Sequence, residues 1–279
     1  MTQRTLGINT YGYIWSTPLQ ACLRRLRELG YREFEAVVNP PHLDLDDGDR
    51  AARKRLASAL RSEGIVVRSV NLPSLDTNLA SSMRRMREYS VAVFRSAIEL
   101  AADLGAAHLI TVPGRVNPLL APSMAQREAW MRESLEPLIR CAEDHGVGLA
   151  LENVPFAAFP DANSLQAFVC SMGSSTLSIC YDVANAHFIG ESPAAGLRLV
   201  RDRVSVVHCS DTTRSAWRHA EVGLGDVPFP EVHAALDEIG YRGPCMLEII
   251  DPAPEAAILR SHRVLSRFGF APCPTELAA

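Results

Sequence analysis

Four side chains in the second half of this 279-residue chain have the types and spacing to hold a cation: Glu152, Asp182, His208 and Glu248. Each ends a short apolar run. Gly148-Leu149-Ala150-Leu151 leads to Glu152, and Leu177-Ser178-Ile179-Cys180-Tyr181 leads to Asp182. Val204-Ser205-Val206-Val207 leads to His208, and Cys245-Met246-Leu247 leads to Glu248. Three carboxylates and one imidazole form a hard, oxygen-rich donor set. It favours one divalent metal ion, Mn²⁺ first, with Mg²⁺, Co²⁺ or Zn²⁺ as alternatives. Any one of these residues alone reads more simply as a salt bridge or a helix cap. Four in register read as a site, because carboxylates buried at strand ends cost desolvation energy that a cation offsets.

The elements that must position them follow from the same runs. Short β-branched apolar stretches punctuated by polar residues read as buried parallel strands. The four residues lie 30, 26 and 40 positions apart, enough in each interval for one helix and its loops. Similar runs occur upstream at 5–9, 33–38, 65–71 and 107–112. Helical periodicity fills the gaps: from Pro18 to Gly30 behind a Ser16 or Thr17 cap, then up to Gly64, 81–105 as the longest, 123–145, 164–172, 193–200, 230–239 and 255–268. Eight strand–helix pairs without a linker predict an α/β fold, a single (β/α)8 TIM barrel spanning 1–279 with a loose C-terminal tail from about 270. Side chains at the carboxyl ends of such strands meet at one rim. A doubly wound sheet is the alternative. Gly223-Leu224-Gly225 lacks the third glycine of a dinucleotide loop, which counts against it.

Bulk properties narrow the function classes. Hydrophobic content of 47% and charged content of 22% suit an ordinary globular chain. A net charge of −4 gives no basic footprint, so no nucleic acid partner is expected. No apolar run approaches the ~20 residues of a membrane span. The N-terminal stretch lacks the apolar core of a secretory leader. Seven cysteines include no CxxC pair, and Cys180, Cys209 and Cys245 fall within or beside strand runs. Buried reduced thiols and a cytoplasmic location are expected.

Several motifs occur together: Leu151-Glu152-Asn153, Tyr181-Asp182-Val183-Ala184-Asn185-Ala186-His187, Val207-His208-Cys209-Ser210-Asp211, Trp217-Arg218-His219 with Gly223-Leu224-Gly225, and Met246-Leu247-Glu248. Through them the chain resembles the xylose-isomerase-like TIM-barrel sugar (phosphate) isomerase/epimerase family. The resemblance implies that Glu152, Asp182, His208 and Glu248 hold one divalent metal. It also implies that Glu152 and Glu248 are catalytic, flanking the substrate and moving its proton. Asp182 and His208 would be ligands only. His187, Asn185, Arg218 and His219 are the candidate substrate-binding residues. Asn185 stands where several relatives carry a histidine, and Ala158 near where some carry a further glutamate. Relatives often form dimers or tetramers, which leaves a homo-oligomer open.

The chemistry explains the donor set. Epimerising or isomerising a ketose removes a proton from the carbon beside a carbonyl, and a chelating metal stabilises the enediolate. Two carboxylates on opposite faces invert the centre; one carboxylate shuttling the proton isomerises instead. Glutamates on strands five and eight, across the barrel mouth, fit the two-base scheme. Tyr11, Tyr13, Trp15, Phe156 and Trp217 are candidates for dry walls, and Asn9 and Asn71 for bonds to substrate hydroxyls. His108 reads as a core histidine. The expected function is a metal-dependent isomerase/epimerase acting on a small-molecule sugar or polyol-derived substrate. The alternative is a dehydratase (lyase) of the inosose or 3-dehydroshikimate type. A repair endonuclease would need more histidines, and a non-catalytic module would not need intact ligands.

Overall fold

In the computed structural model, residues 4–46, 48–73 and 76–274 are described. Asp47 of the expected polar loop and the end of the expected loose tail, 275–279, lie outside them. The expected apolar runs become β1 (Leu6–Asn9), β2 (Glu33–Val37), β3 (Val66–Leu72), β4 (His108–Thr111), β5 (Gly148–Glu152), β6 (Leu177–Asp182) and β7 (Val204–Cys209). A hairpin of β8 (Asp211–Thr213) and β9 (Ala216–Ala220) follows, and β10 (Cys245–Leu247) completes the set. The barrel closes in the order β1-β10-β7-β6-β5-β4-β3-β2, every neighbouring pair parallel. The (β/α)8 expectation therefore holds.

The register fixes which side chains meet. Asp182 pairs directly with His208, Glu152 with Cys180, Met246 with His208, and Asn9 with Glu35, which in turn pairs with Ser69. Alternate residues face inward along a strand. Ile110, Ala150, Cys180, Val206 and Met246 fill the barrel interior as a separate apolar layer. The larger core lies between the strands and the helices around them.

Those helices are α1 (Leu19–Glu28), α2 (Arg50–Ser62), α3 (Arg84–Leu104), α4 (Met124–His145), α5 (Ala162–Met172), α6 (Val183–Phe188), α7 (Pro193–Val200), α8 (Phe229–Glu238) and α9 (Pro254–Ser266). Three details differ from expectation. Pro18 itself takes the N-cap of α1, and the Ser16 hydroxyl bonds Tyr13 O and the Thr17 hydroxyl instead of a helix amide. α4, at 22 residues, outruns α3 at 21; a Ser123–Gln126 capping box starts it. Helix α6 lies between β6 and α7, where no helix was expected. It begins directly after Asp182, whose Oδ1 accepts the Asn185 amide at 2.6 Å. A six-residue helix gives periodicity too little length to register.

The β8–β9 hairpin and the loop after it present Trp217, Arg218 and His219 to the barrel mouth. Asp211 organises this segment. It is buried, and its carboxylate accepts backbone amides from Thr212 (2.9 Å), Gly223 (2.8 Å), Gly225 (3.0 Å) and Val227 (3.1 Å). Gly225 has no room for a side chain, since a Cβ there would lie 2.2 Å from Thr212 O. Among the described residues no helix is long and apolar enough to cross a membrane. Asp211→Ala would leave these amides without an acceptor, so it should lower unfolding free energy by about 3 kcal/mol. Urea denaturation of the purified variant checks this.

Candidate metal centre and substrate cavity

Four strands deliver the four expected side chains to one point. Ligand-capable atoms of Glu152, Asp182, His208 and Glu248 all lie within 4.8 Å of one another, and all four residues are buried. His208 is the hub. Its Nδ1 is 3.0 Å from Glu152 Oε1, 3.2 Å from Glu248 Oε2 and 3.9 Å from Asp182 Oδ2. Asp182 is held by both its backbone and its side chain. Asn153 donates from Nδ2 to Asp182 O at 2.9 Å and accepts the Asp182 amide at 2.7 Å. With Oδ1 committed to the start of α6, Oδ2 is left to the cluster.

The set fits a divalent cation on two grounds. Asp182 Oδ2 and Glu248 Oε2 are buried and have no partner of hydrogen-bond geometry among the described residues. Buried carboxylate oxygens of this kind call for a positive charge. Ligand oxygens and nitrogens sit at about 2.0–2.2 Å from such an ion, so opposite ligands are ~4.2 Å apart. The observed spread needs only slight contraction.

A fourth carboxylate, Glu35 in β2, was missed by sequence reasoning. It is fully buried, and its Oε1 is 2.9 Å from His208 Nε2. That is ion-pair distance, although the pair lacks good hydrogen-bond geometry. Glu35 is fixed by Ser69 Oγ (2.5 Å), Asn9 Nδ2 (2.6 Å) and Asn71 Nδ2 (3.1 Å). A carboxylate on the far nitrogen of a ligating histidine sets its ring orientation and leaves the near nitrogen free to bind. The available signal was weak: Glu35 lies two positions after the half-buried Glu33, at the same nominal strand phase, and a register shift between Phe34 and Glu35 separates the two. Asn9 also donates to Glu248 Oε1 at 3.2 Å. Asn9 and Asn71, expected at substrate hydroxyls, bond these carboxylates, and Asn71 also lines the cavity over the cluster.

The electrostatics follow from burial. Burial pushes the Asp182 carboxyl up to about 7, against the pull of His219. It raises Glu152 as well. Burial would also raise Glu248, but His208 and His219 hold it well below the usual carboxylate range. Burial would depress His208; Cys180, Glu35, Glu248 and Glu152 hold it well above its usual value instead.

A cavity of about 780 Å³ opens above the cluster, lined in part by Glu152, Glu248, Asn185, Trp217, Arg218 and His219. His219 turns toward the cluster: its Nδ1 is 3.2 Å from Glu248 Oε2 and 3.6 Å from Asp182 Oδ2. Asn185 reaches the cavity while accepting the Trp217 indole N–H at 2.7 Å. His187 is not on the cavity wall; its Nε2 pairs with Asp226 Oδ1 at 2.7 Å. Of the expected dry walls, Tyr11, Phe156 and Trp217 line the cavity. Phe156, Phe188 and Trp217 form an aromatic cluster with centroids 6.2–6.3 Å apart. Tyr13 and Trp15 do not line it: Tyr13 is packed in the core, and Trp15 is 72% exposed. The turn after β1 sends successive side chains in different directions.

Comparison with known proteins agrees with this architecture. The family description xylose isomerase-like TIM barrel matches residues 23–268. Fructoselysine 3-epimerase of Escherichia coli O157:H7 is 23% identical, over 90% of this chain and 92% of that one. A solved D-tagatose 3-epimerase-like protein superposes with TM-score 0.82 at 24% identity, covering 95% of this chain and 96% of that one. An IOLI protein solved with a zinc atom gives TM-score 0.80 at 18% identity, covering 95% and 99%.

Metal binding at these residues should be coupled to protons. Asp182 ionises only near pH 7, so protons compete for its oxygen below that value, and Mn²⁺ affinity should fall from pH 8 to pH 6. Calorimetric titration in buffers of different ionisation enthalpy reads the released protons. Glu35→Gln leaves every expected ligand in place, yet should weaken Mn²⁺ binding roughly 10–100-fold. His208→Ala should abolish binding in elemental analysis.

Proposed function

Because the chain belongs to the xylose isomerase-like TIM-barrel family, we propose that it is a metal-dependent isomerase or epimerase acting on a ketose or sugar derivative. One observation carries this reading. Glu152 and Glu248 reach the same His208 nitrogen from different strands while both line the cavity. The two glutamates are three steps apart around the eight-strand ring, just short of diametrically opposite. A sugar carbon held between them has a carboxylate on either side.

A divalent ion held by Glu152, Asp182, His208 and Glu248 supplies the Lewis acidity that makes the carbon beside a carbonyl acidic. The chain's own groups do the rest. For one epimer, Glu152 takes the proton and Glu248 returns one to the other face; for the other epimer the roles reverse. A single glutamate passing the proton between adjacent carbons gives isomerisation. Glu35 holds the His208 ring, and Asp182 is anchored to α6 and Asn153, so neither is free to act as a base. Trp217 and Phe156 line the site with apolar surface, which strengthens the electrostatic interactions inside it. The Arg218 and His219 side chains are placed to meet substrate oxygens. The 3-epimerase relative and the epimerase-like fold neighbour support the same reaction class. Mn²⁺ suits the oxygen-rich donor set best.

The test is proton NMR of a ketose panel in D₂O with Mn²⁺-loaded protein. The expected result is exchange of a carbon-bound proton beside the carbonyl, with appearance of the epimer or isomer. Glu152→Gln and Glu248→Gln should each lower that rate by roughly 10²–10⁴-fold. Full activity in either variant defeats the two-base scheme. Loss of water from the sugar instead identifies a dehydratase.

A further inference from the structure

Beyond the carboxylate cluster and His219, the cavity wall carries four charged side chains: Arg115, Arg218, Glu221 and Asp251. The two acids already have partners. Glu221 accepts from Arg260 Nε at 2.7 Å and Nη2 at 2.6 Å. Asp251 Oδ1 accepts the Ala253 amide at 2.7 Å, and its charge also acts on Arg260. The two arginines differ. Neither guanidinium has a hydrogen-bond or ion-pair partner among the described residues, while many other arginines of the chain are paired.

They enter from different sides. Arg115 follows β4, and Arg218 lies in the β9 strand that follows β7, three steps around the ring. The loop bearing Arg115 is tethered: Arg115 bridges Ala157, and its carbonyl accepts from Asn78 Nδ2 at 2.9 Å. Its charge reaches the Tyr11 phenol, which also feels Glu248 and Glu152. The volume of about 780 Å³ is in the range that encloses a drug-sized ligand, more than a bare ketose fills. Guanidinium forks match carboxylate and phosphate oxygens two at a time.

We propose that the cavity takes a ketose bearing an anionic group, a phosphate or a carboxylate, several bonds from its carbonyl, and that Arg115 and Arg218 hold that group. This rests on the sugar isomerase/epimerase reading. It adds what that reading leaves open, the charge of the substrate.

The experiment is calorimetric titration of the Mn²⁺-loaded protein with D-fructose, D-fructose 6-phosphate and N-fructosylglycine, each at low and raised NaCl. At least one anionic sugar should bind at least about tenfold more tightly than D-fructose, and the advantage should shrink with salt. Preference for the 6-phosphate identifies a phosphate substrate; preference for the glycine conjugate identifies a carboxylate. The advantage should fall in Arg115→Ala and in Arg218→Ala and vanish in the double variant, with Arg→Lys changes retaining part of it. Circular dichroism and metal content confirm that each variant is folded and loaded. Equal binding of all three sugars, or an advantage that survives in the double variant, overturns the proposal. Proton exchange read on the same samples separates the two ideas. Anion preference without exchange supports this subsite and defeats the isomerase reading; exchange without preference does the reverse.

Discussion

The structure depends on negative charge taken out of water. Glu35, Glu152, Asp182 and Glu248 are all buried within reach of one imidazole, His208. Two like charges 4 Å apart repel by about 4 kcal/mol at an effective dielectric of 20. Four together are tolerable only with compensating positive charge at a fixed place. The barrel supplies that place by bringing strand ends from most of its ring to one mouth. Asp182 and His208 pair in direct register on adjacent strands, and a slip of one residue would turn one member of the pair outward.

Around this charge, several side chains serve two neighbours at once. Asn9 donates to both Glu35 and Glu248, joining β2 to the end of β10 across the strand between them. Asp182 divides its oxygens between a helix start and the cluster. Asn185, in that same helix, accepts the Trp217 indole and so ties the cavity's aromatic wall to the strand that carries Asp182. Hairpin, helix and centre are linked by short polar bonds, each buried enough to be costly to break.

Most of this was legible in the sequence, for a physical reason. Parallel strands buried on both faces read as continuous apolar runs, so the one polar residue ending each run stands out. Glu152, Asp182, His208 and Glu248 were visible that way, and the structure gathers all four. Glu35 was hidden because it lies within its strand, among residues that pattern like the half-exposed Glu33. Its meaning comes from Asn9, Ser69, Asn71 and His208, which are near only in three dimensions. His187 reads like a site residue by its nearness to Asp182, yet helix α6 turns it toward Asp226. Tyr13 and Trp15 were misplaced because turn residues carry no periodicity from which a direction can be taken. His219 was expected to touch substrate, and only the hairpin's fold brings it against Glu248.

Ring closure between the first and last strands bears on how the molecule is made. A chain that emerges from its amino end releases Glu35 long before His208, and Glu248 later still. Until β10 docks against β1 and β7, the nascent barrel keeps an open seam at which a neighbouring chain can pair. The closing step therefore joins edge protection and delivery of the last carboxylate, Glu248, in one late event, and a chain truncated before Cys245 forfeits both.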